Sequence, residues 1–389
     1  MRIAVFGGSF DPVHKEHITL AQKAVESLRL DKLYVMPVSC PPHKKNKTLS
    51  SDTHRLQMCK LAFFGIPKVV ISDYEIEKGG VSYTFETCAH FKAQDQDGEL
   101  FWIVGTDMLR DFPTWKNPES ILQDAKLAVC ARDEESGWLE KERRAFYEKF
   151  HTDFSIIDYN GANVSSTKIR VMAGAGEDIA PLVGESVADY IKKNGLYTIE
   201  NADKALALQS PKRKAHSLRV AEMAAKKAVQ MGLSEKKAIA AALFHDCGKN
   251  VPENSPLLAD FTLDDDYGEV PSPVLHQYTG AFLTENVFGV HDMEILNAIR
   301  FHTSGRADMS ELEKLIFLAD MLEEDRSFDG VKSLRALFWK EKGAGALDVC
   351  LEKALAHTVE YLQAKKADVY PLTNQAYAWI KNQNTKERL

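Results

Sequence analysis

Six short apolar runs alternate with helical patterns over the first 160 residues, and this alternation constrains the fold more than any other feature of the chain. Each run is continuously apolar and rich in β-branched or aromatic residues, which is typical of strands buried on both faces. Strands separated by helices form βαβ units, so we predict a mostly parallel sheet. The predicted strands are 2–6, 32–38, 68–76, 100–105, 126–132 and 154–159.

The strand pattern stops after Asn194-Gly195, a dipeptide typical of a helix end. Beyond it, only helical patterns remain. They cover 212–231, 235–245, 273–288, 292–302, 310–323 and 346–364. We therefore predict an α/β, Rossmann-like, doubly wound parallel sheet over residues 1–197, a linker over 198–207 and an all-α helical bundle over 208–389.

The composition of the 389 residues narrows the choice of partners. The net charge of -7 does not favour nucleic-acid binding, which depends on basic patches. The six cysteines show no paired spacing, as expected in a reducing compartment. No apolar run approaches the ~20 residues of a membrane span. We expect a cytoplasmic protein with small-molecule ligands, no nucleic-acid or membrane partner, and a sequence compatible with a homo-oligomer.

A glycine turn separates the first predicted strand from the first predicted helix. The turn reads GGSFDPVHKEH, residues 7–17. Gly7 and Gly8 permit close approach of a ligand to the backbone, and Asp11-Pro12 suits the start of a helix. Amide N–H groups at such a start bind anions, so the turn is a candidate phosphate site.

His14 and His17 lie three residues apart in this turn, and their spacing alone leaves three interpretations open. In the first, they are a surface pair on the first turn of a helix. In the second, they are zinc ligands, although no third ligand is evident nearby. In the third, they donate hydrogen bonds to a phosphoryl group whose charge grows in the transition state. The neighbouring anion-binding turn favours the third interpretation.

Ionisable residues interrupt apolar helix faces throughout the second half of the chain. Each alone is more often a satisfied core or boundary residue, but five interruptions on five helices favour convergence on metal. Four histidines and two aspartates, one aspartate bridging, can hold two divalent ions, and such ligands suit iron, manganese or zinc. A hydroxide between two metals is a nucleophile for phosphoanhydrides, and Lys249, Arg306 and Arg326 could hold the phosphates. The predicted ligands are His216, His245, Asp246 as the bridge, His276, His302 and Asp320.

The first half resembles the nucleotidylyltransferase superfamily, in particular the bacterial nicotinate-nucleotide adenylyltransferases. This resemblance implies direct attack of a mononucleotide phosphate on the α-phosphorus of ATP, with Mg²⁺ accompanying the ATP and pyrophosphate leaving. The motifs that carry it are GGSFDPVH..H, PPHKK (41–45), HRLQM (54–58), SYTFET (82–87), WIVGTDMLRDFPTWKNPESIL (102–122) and VSSTKIR (164–170).

The same resemblance implies roles for individual residues. His14 and His17 hold the ATP phosphates, with Asp11 and Lys44 near the reacting phosphates. Thr84 and Trp115 lie by the nicotinate ring. The implied ATP-binding set is Gly7, Gly8, Ser9, Phe10, Asp107, Ser165, Ser166, Thr167 and Arg170.

Glu16 departs from the family pattern, in which a glycine precedes the second histidine. A carboxylate suits the first turn of a helix but opposes a bound triphosphate. We therefore predict that the Glu16 side chain points away from the triphosphate, toward a lysine or arginine.

The second half resembles the HD-domain metal-dependent phosphohydrolases, and most of all the YqeK-type enzymes, which cleave diadenosine tetraphosphate (Ap4A) to two ADP. The resemblance is carried by HDCGK (245–249), AIRFHTSGR (298–306) and LEKLIFLADMLEEDR (312–326). It implies two divalent metal ions, with iron preferred over manganese or zinc. Asp246 and Lys249 are the implied catalytic residues, and Thr303, Arg306 and Arg326 the implied substrate ligands.

Together the two halves predict a bifunctional enzyme, a nicotinate-nucleotide adenylyltransferase and a symmetrically cleaving Ap4A hydrolase. The predicted small-molecule partners are ATP, nicotinate mononucleotide and Ap4A. Two alternatives stay open. The first half uses another acceptor, the amidated nucleotide or a pantetheine phosphate, or is a weakened nucleotide sensor. The second half hydrolyses another nucleotide, such as a cyclic dinucleotide or an alarmone.

Overall fold

The structure is a computed structural model that describes residues 1–39, 49–131, 136–159, 161 and 164–386. It divides into two compact units. The first unit comprises the described residues of 1–169 and 179–196. The second comprises those of 170–178 and 197–386. Among the described residues, no helix combines the length and apolar character that crossing a bilayer requires.

The first unit is built on one parallel six-stranded sheet, as predicted. Its strand order is β3-β2-β1-β4-β5-β6, and every neighbouring pair is parallel. The strands are β1 (Arg2–Gly8), β2 (Lys32–Pro37), β3 (Val69–Ile71), β4 (Glu99–Gly105), β5 (Lys126–Ala131) and β6 (Ser155–Asp158). The six predicted strands and the doubly wound α/β class are thus confirmed.

Ten helices of the described chain lie between or after these strands. They are α1 (Lys15–Ser27), α2 (Asp52–Ala62), α3 (Tyr74–Lys78), α4 (Thr84–Gln94), α5 (Thr106–Asp111), α6 (Pro118–Asp124), α7 (Ser136–Phe150), α8 (Ser166–Gly174), α9 (Ala180–Val183) and α10 (Glu185–Lys193). The third predicted strand, 68–76, was too long, because Tyr74–Lys78 is helical. Acidic Glu75 and Glu77 in its first turn favour that helix start.

The strand order creates one switch point, between β1 and β4. The chain runs outward from β1 to β2 and β3, then returns to pair β4 with the other side of β1. In such sheets, ligands bind in the crevice at the carboxyl ends of the strands next to the switch. The glycine turn after β1 and the segment after β4 therefore open at the same place.

The described residues of the second unit form helices, turns and short 3-10 segments and contain no strand, as predicted for 208–389. The six predicted helices are present as α12 to α16 and α18; α11, α17 and α19 were not predicted. The helices are α11 (Ala202–Ala207), α12 (Pro211–Met231), α13 (Glu235–Phe244), α14 (Ser272–Asn286), α15 (Met293–Arg300), α16 (Glu311–Leu322), α17 (Val331–Lys340), α18 (Asp348–Ala364) and α19 (Pro371–Lys386).

The predicted linker, 198–207, contains α11 and lies in the second unit. Three of its side chains, Ala202, Ala205 and Leu206, are buried in the same apolar core as α12 and α13. Their burial makes the segment part of this unit's packing.

The centre of the second unit is α13, which is buried on every side from Ala238 to Phe244. A helix that is apolar all round belongs in a core, and its alanines let neighbouring helices approach closely. The turn after α13 carries Gly248, where a Cβ would lie 2.6 Å from the Gly280 nitrogen and 2.9 Å from the His276 oxygen. Glycine is therefore required there, and it brings the end of α13 directly against α14.

Candidate functional sites

A buried arginine holds the glycine turn after β1 through hydrogen bonds to backbone carbonyls. Arg55 of α2 is 0% exposed and donates to the Ser9 carbonyl at 2.8 Å and to the Ser50 carbonyl at 3.1 Å. Phe10 is buried with φ 47°, and a Cβ on Gly8 would lie 3.0 Å from its ring. The predicted anion-binding turn is thus held in one conformation, and Arg55 is a supporting residue that the sequence pattern did not single out.

His14 and His17 meet at the start of α1. Their rings stack at 3.7 Å between centroids, and the His17 Nδ1 accepts the His14 backbone N–H at 3.1 Å. A peptide N–H only donates, so in the neutral His17 ring the proton sits on Nε2. His14 is 5% exposed, which does not fit a surface pair.

Burial keeps both histidines neutral. It lowers the pKa of His14 to about 4 and, together with the neighbouring His14, the pKa of His17 well below its usual range. At neutral pH, His17 therefore presents an Nε2–H donor. The His14 Nδ1 is buried without a hydrogen-bond partner, as expected of a polar atom that a ligand would satisfy.

The late serine motif lies against the same turn. Ser165 caps α8, its Oγ accepting the Lys168 N–H at 3.1 Å, and the Ser166 Oγ donates to the Pro12 carbonyl at 2.9 Å. Two predicted phosphate-binding motifs, 154 residues apart in sequence, therefore meet at the carboxyl end of β1. Thr167 lies in the first turn of α8.

Asp107 lies at the end of β4, next to the switch point. A Cβ on Gly105 would come within 2.7 Å of its Oδ1, so the carboxylate lies over the strand end. The pairing of Val5 with Trp102 puts this strand end beside that of β1. Asp11 accepts the Ser50 N–H through Oδ2 at 3.3 Å. The two carboxylates thus lie on neighbouring loops of one edge.

The residues predicted to lie by the nicotinate ring occupy two adjoining segments. Thr84 is the first residue of α4, and Trp115 follows a 3-10 turn and packs on Phe112 at 5.4 Å between centroids. Lys116 joins the segments, since its Nζ lies 3.9 Å from the Tyr83 ring centroid.

Three features of this half differ from expectation or stay untested. Arg170 is buried in an ion pair with Glu235 inside the second unit, so its role at the triphosphate stays a prediction. Glu16 accepts a hydrogen bond from the Tyr159 hydroxyl, whereas we predicted a lysine or arginine partner. Lys44 lies outside the described residues.

The six predicted metal ligands of the second unit converge around the Asp246 carboxylate. Its Oδ2 lies 3.4 Å from the His245 Nε2 and 3.9 Å from the His216 Nε2. Its Oδ1 lies 3.3 Å from the His276 Nε2 and 3.8 Å from the His302 Nε2. Each oxygen faces a different histidine pair, which is the arrangement a bridging carboxylate needs.

Asp320 completes one side of the cluster. Its Oδ1 lies 2.8 Å from the His216 Nε2 and 4.0 Å from the His245 Nε2. Three groups of ligand atoms, each spanning at most 4.8 Å, can be drawn within the cluster, and Asp246 belongs to two of them. The donor set is all nitrogen and oxygen, which suits a divalent transition metal.

Second hydrogen bonds orient the histidine rings for metal. The Nδ1 atoms of His245 and His302 donate to the carbonyls of Ala242 and Ile299, each at 2.7 Å. Their Nε2 lone pairs therefore point into the cluster, and the His245 Nε2 is buried without a hydrogen bond. The His216 Nδ1 lies 3.1 Å from the Glu323 Oε1. Such outer partners are typical of metal-ligating histidines, so the residues fit a metal centre.

The cluster also keeps its carboxylates ionised. Burial opposes ionisation, but the neighbouring histidines hold the pKa of Asp246 well below its usual range, and His216, His245 and Arg326 do the same for Asp320. Burial likewise opposes the charge of His216, yet hydrogen bonds to Asp320 and Glu323 raise its pKa to about 9. Ionised carboxylates are the form that binds metal.

The cluster forms part of the wall of a cavity of about 1220 Å³ with cationic side chains. Arg213 pairs with Asp246, the Arg326 Nη2 lies 2.6 Å from the Asp320 Oδ1, and the Lys249 Nζ lies 2.9 Å from the His276 Nδ1. Thr303 is also in the wall. Arg213 was not predicted, although its place one helical turn before His216 on α12 would have indicated it.

An aromatic wall lines the cavity beyond the cluster. The rings of Phe328 and His357 stack at 4.8 Å, and Tyr361, Leu362 and Tyr370 continue the surface. Flat apolar rings beside cations suit a ligand with both a base and phosphates.

Arg306 forms an ion pair with Glu313 of α16 instead of lining the cavity. It donates to both oxygens of Glu313, at 2.7 and 2.8 Å, and it is not among the residues that line the cavity in the described chain. The structure therefore gives this arginine an ion-pair partner, and its phosphate contact stays a prediction.

We expect Glu323→Gln to weaken metal binding by roughly 10- to 100-fold, because outer-shell partners orient ligating histidines. Glu323 holds His216 and also accepts from the Arg219 Nε at 2.6 Å. Competition with a chelator would measure the change. The matched control is Glu313→Gln, an equally buried glutamate paired with Arg306. Equal metal affinity in both variants would contradict the assignment.

Comparisons with known proteins agree with this division into two sites. A family model described as cytidylyltransferase-like matches residues 5–172, and an HD domain model matches residues 213–325.

One curated relative matches half of the chain, and another matches most of it. A "probable nicotinate-nucleotide adenylyltransferase" of Clostridium tetani is 40% identical over 195 residues, 50% of this chain and 98% of the relative. A "probable nicotinate-nucleotide adenylyltransferase/Ap4A hydrolase" of Mycoplasma genitalium is 30% identical over 326 residues, 84% of this chain and 88% of the relative.

A solved structure, a "predicted HD superfamily hydrolase involved in NAD metabolism" from Clostridium acetobutylicum, is 29% identical. It covers 46% of this chain and 97% of its own, with a TM-score of 0.41.

Proposed function

Because the chain belongs to the family of nicotinate-nucleotide adenylyltransferases fused to an HD-domain Ap4A hydrolase, we propose that it carries both activities. The first unit transfers an adenylyl group from ATP to nicotinate mononucleotide. The second hydrolyses Ap4A to two ADP.

In the transfer, a phosphate oxygen of nicotinate mononucleotide attacks the α-phosphorus of ATP, and the bond from that phosphorus to the leaving pyrophosphate breaks. The His17 Nε2–H donates to the phosphate oxygens as their charge changes, at a site where burial strengthens each hydrogen bond. The Ser165 hydroxyl and the backbone amides of the α8 start hold the triphosphate, while the Ser166 hydroxyl donates to Pro12 and fixes the turn beside them. Mg²⁺ bound with ATP would neutralise part of its charge.

The observation that carries this proposal is the hydrogen bond from Ser166 to the Pro12 carbonyl. It brings a capped helix start beside the turn that holds the two histidines. Both lie at the carboxyl edge of a doubly wound sheet, where nucleotides bind. Trp115 and Thr84 provide the acceptor's ring site.

For the hydrolase, we propose that Asp246 and the five ligands around it hold two divalent ions, with iron preferred over manganese or zinc. Bound there, such ions would supply an activated water and polarise a phosphoryl group. Lys249, Arg213 and Arg326 orient the phosphates in the cavity. The stacked wall of Phe328 and His357 receives an adenine ring.

The aromatic wall and the cavity volume favour a dinucleoside polyphosphate. A cavity of about 1220 Å³ exceeds the roughly 300–1,000 Å³ of common small-molecule sites, and both cations and aromatic rings line it beside the candidate metal cluster. A long polyphosphate with a base fits that combination of groups. We place both activities in the cytoplasm, where the five described cysteines, which are all free, would stay reduced.

The hydrolase is tested by metal analysis of the purified full chain, with identification of the products from Ap4A. We expect a bound transition metal and two ADP. ATP plus AMP would contradict the symmetric cleavage. If the protein hydrolyses a cyclic dinucleotide or an alarmone but not Ap4A, that nucleotide is its substrate instead.

The transferase is tested by comparing nicotinate mononucleotide with its amidated form and with pantetheine phosphate. We expect the highest kcat/KM for nicotinate mononucleotide. ATP binding without turnover on any acceptor would instead support a nucleotide sensor.

A further inference from the structure

Glu16 has a specific partner in the structure. Its carboxylate accepts a hydrogen bond from the Tyr159 hydroxyl, which also lies 3.2 Å from the Glu16 carbonyl oxygen. Both side chains are half-buried. A hydrogen bond to a charged acceptor contributes more than a neutral one, so the pair is a strong local constraint.

The pair joins the two segments that hold the triphosphate in the proposed transfer. Glu16 lies in the first turn of α1, directly before His17, and Tyr159 directly follows β6, six residues before Ser165. The backbone of Tyr159 is itself fixed, since its N–H donates to the Ala131 carbonyl at 3.2 Å. The carboxylate thus ties the start of α1 to a point anchored on the sheet.

A second hydrogen bond ties the same two segments further along. Ser166 donates to the Pro12 carbonyl, which precedes α1, while Tyr159 reaches the first turn of α1 itself. The start of α1 is therefore held at two separate points, at its first turn by Tyr159 at the end of β6 and just before it by Ser166 at the start of α8. Rigid placement of donors around a polyanion matters, because misplaced donors lose transition-state stabilisation.

Gly161 is coupled to this pair. A Cβ at residue 161 would overlap both the Glu16 Oε2 and the Tyr159 hydroxyl oxygen. Any larger residue must displace the carboxylate or the tyrosine. The absence of a side chain at 161 and the presence of one at 16 therefore depend on each other.

We propose that Glu16, Tyr159 and Gly161 form a positioning lock that sets His17 and the start of α8 at the spacing the ATP triphosphate requires. The lock occupies the place where the family motif has glycine before the second histidine. This inference rests on the proposed adenylyl transfer. None of the three residues is a catalytic residue, because each acts through His17 or the serines.

We expect Tyr159→Phe to raise the KM for ATP by roughly 10-fold, the lower range for a hydrogen bond to a charged group. The KM for nicotinate mononucleotide and the rate of Ap4A hydrolysis should each stay within about 2-fold, since neither site uses the lock. Glu16→Gln keeps an acceptor oxygen and should lie closer to the wild type than Glu16→Ala. A lower melting temperature with an unchanged KM for ATP would show a merely structural role and overturn the proposal.

A suppressor experiment tests the coupling to Gly161. Gly161→Ala should raise the KM for ATP, and the same change in a Glu16→Gly background should have an effect at least ~3-fold smaller, as expected for residues in contact. Gly137→Ala is the matched control, because nothing lies within 4 Å of its added Cβ. Strictly additive effects would overturn the coupling.

ATP binding measured by calorimetry separates failure of the lock from failure of the proposed function. If no acceptor is adenylylated but ATP binds, the affinity for ATP replaces KM in every comparison. Unchanged ATP affinity in Tyr159→Phe would then refute the lock, whereas loss of affinity would support it even with the transfer reaction disproved.

Discussion

Replacing Asp246 with Asn is expected to reduce Ap4A hydrolysis by at least about 10³-fold, the scale found when one member of a catalytic unit is removed. Each carboxylate oxygen faces a different histidine pair. An amide offers one oxygen, and its NH₂ group would oppose the histidine lone pairs or metal on the other side. The bound metal content should fall together with the rate, while adenylyl transfer should remain unchanged.

The control for this variant lies in the second His-Asp dipeptide of the chain, His291-Asp292. Asp292 caps α15, its Oδ1 accepting the Glu294 N–H at 3.0 Å, and it lies outside the metal cluster. Asp292→Asn should keep the metal and the hydrolase activity, because Asn is also a favourable N-cap. Full metal content and full hydrolysis in Asp246→Asn would disprove the bridging role.

Replacing His17 with Ala is expected to lower the kcat of adenylyl transfer by roughly 10²- to 10³-fold, as for the loss of one oriented donor to a developing charge. The backbone N–H of His14 fixes the His17 tautomer, so the lost group is specifically an Nε2–H. Steady-state rates with saturating ATP and nicotinate mononucleotide would measure the loss. Ap4A hydrolysis by the same protein should be unaffected, which reports that the second unit is folded.

Another histidine of the first unit, His151, serves as the control for His17→Ala. His151 is exposed, with φ 53°, and His151→Asn keeps a residue that tolerates this backbone region. Its transfer rate should stay within about 2-fold of the wild type, as for a surface change away from the site. A His17→Ala protein that retains most of its transfer rate would assign the histidines to structure.

The regular elements followed from local patterns, with errors where packing outweighed pattern. The six strands were predicted because buried strands leave continuous apolar runs. The pattern predicts a linker where α11 lies, since two alanines and a leucine give little signal until a core covers them. α19 was missed because it is rich in Asn and Gln, and its helix is held by buried Ala376 and Ile380.

The candidate sites were predicted unequally. The six candidate metal ligands could be named, and the structure brings them together, because a polar residue on an apolar helix face must find a partner. The roles of arginines could not, since long flexible side chains reach several partners. Arg306 pairs with Glu313, whereas Arg213, which we did not predict, reaches Asp246.

The sequence by itself determined the two fold classes, the residue types of the candidate metal cluster and the position of a candidate anion-binding turn. These features depend on periodicity and residue type, which are local. Only the tertiary structure decided that Ser166 meets Pro12, that the two oxygens of Asp246 face opposite histidine pairs, and that Glu16 pairs with Tyr159. Such contacts depend on where the chain returns after as many as 154 residues, and no local pattern encodes that distance.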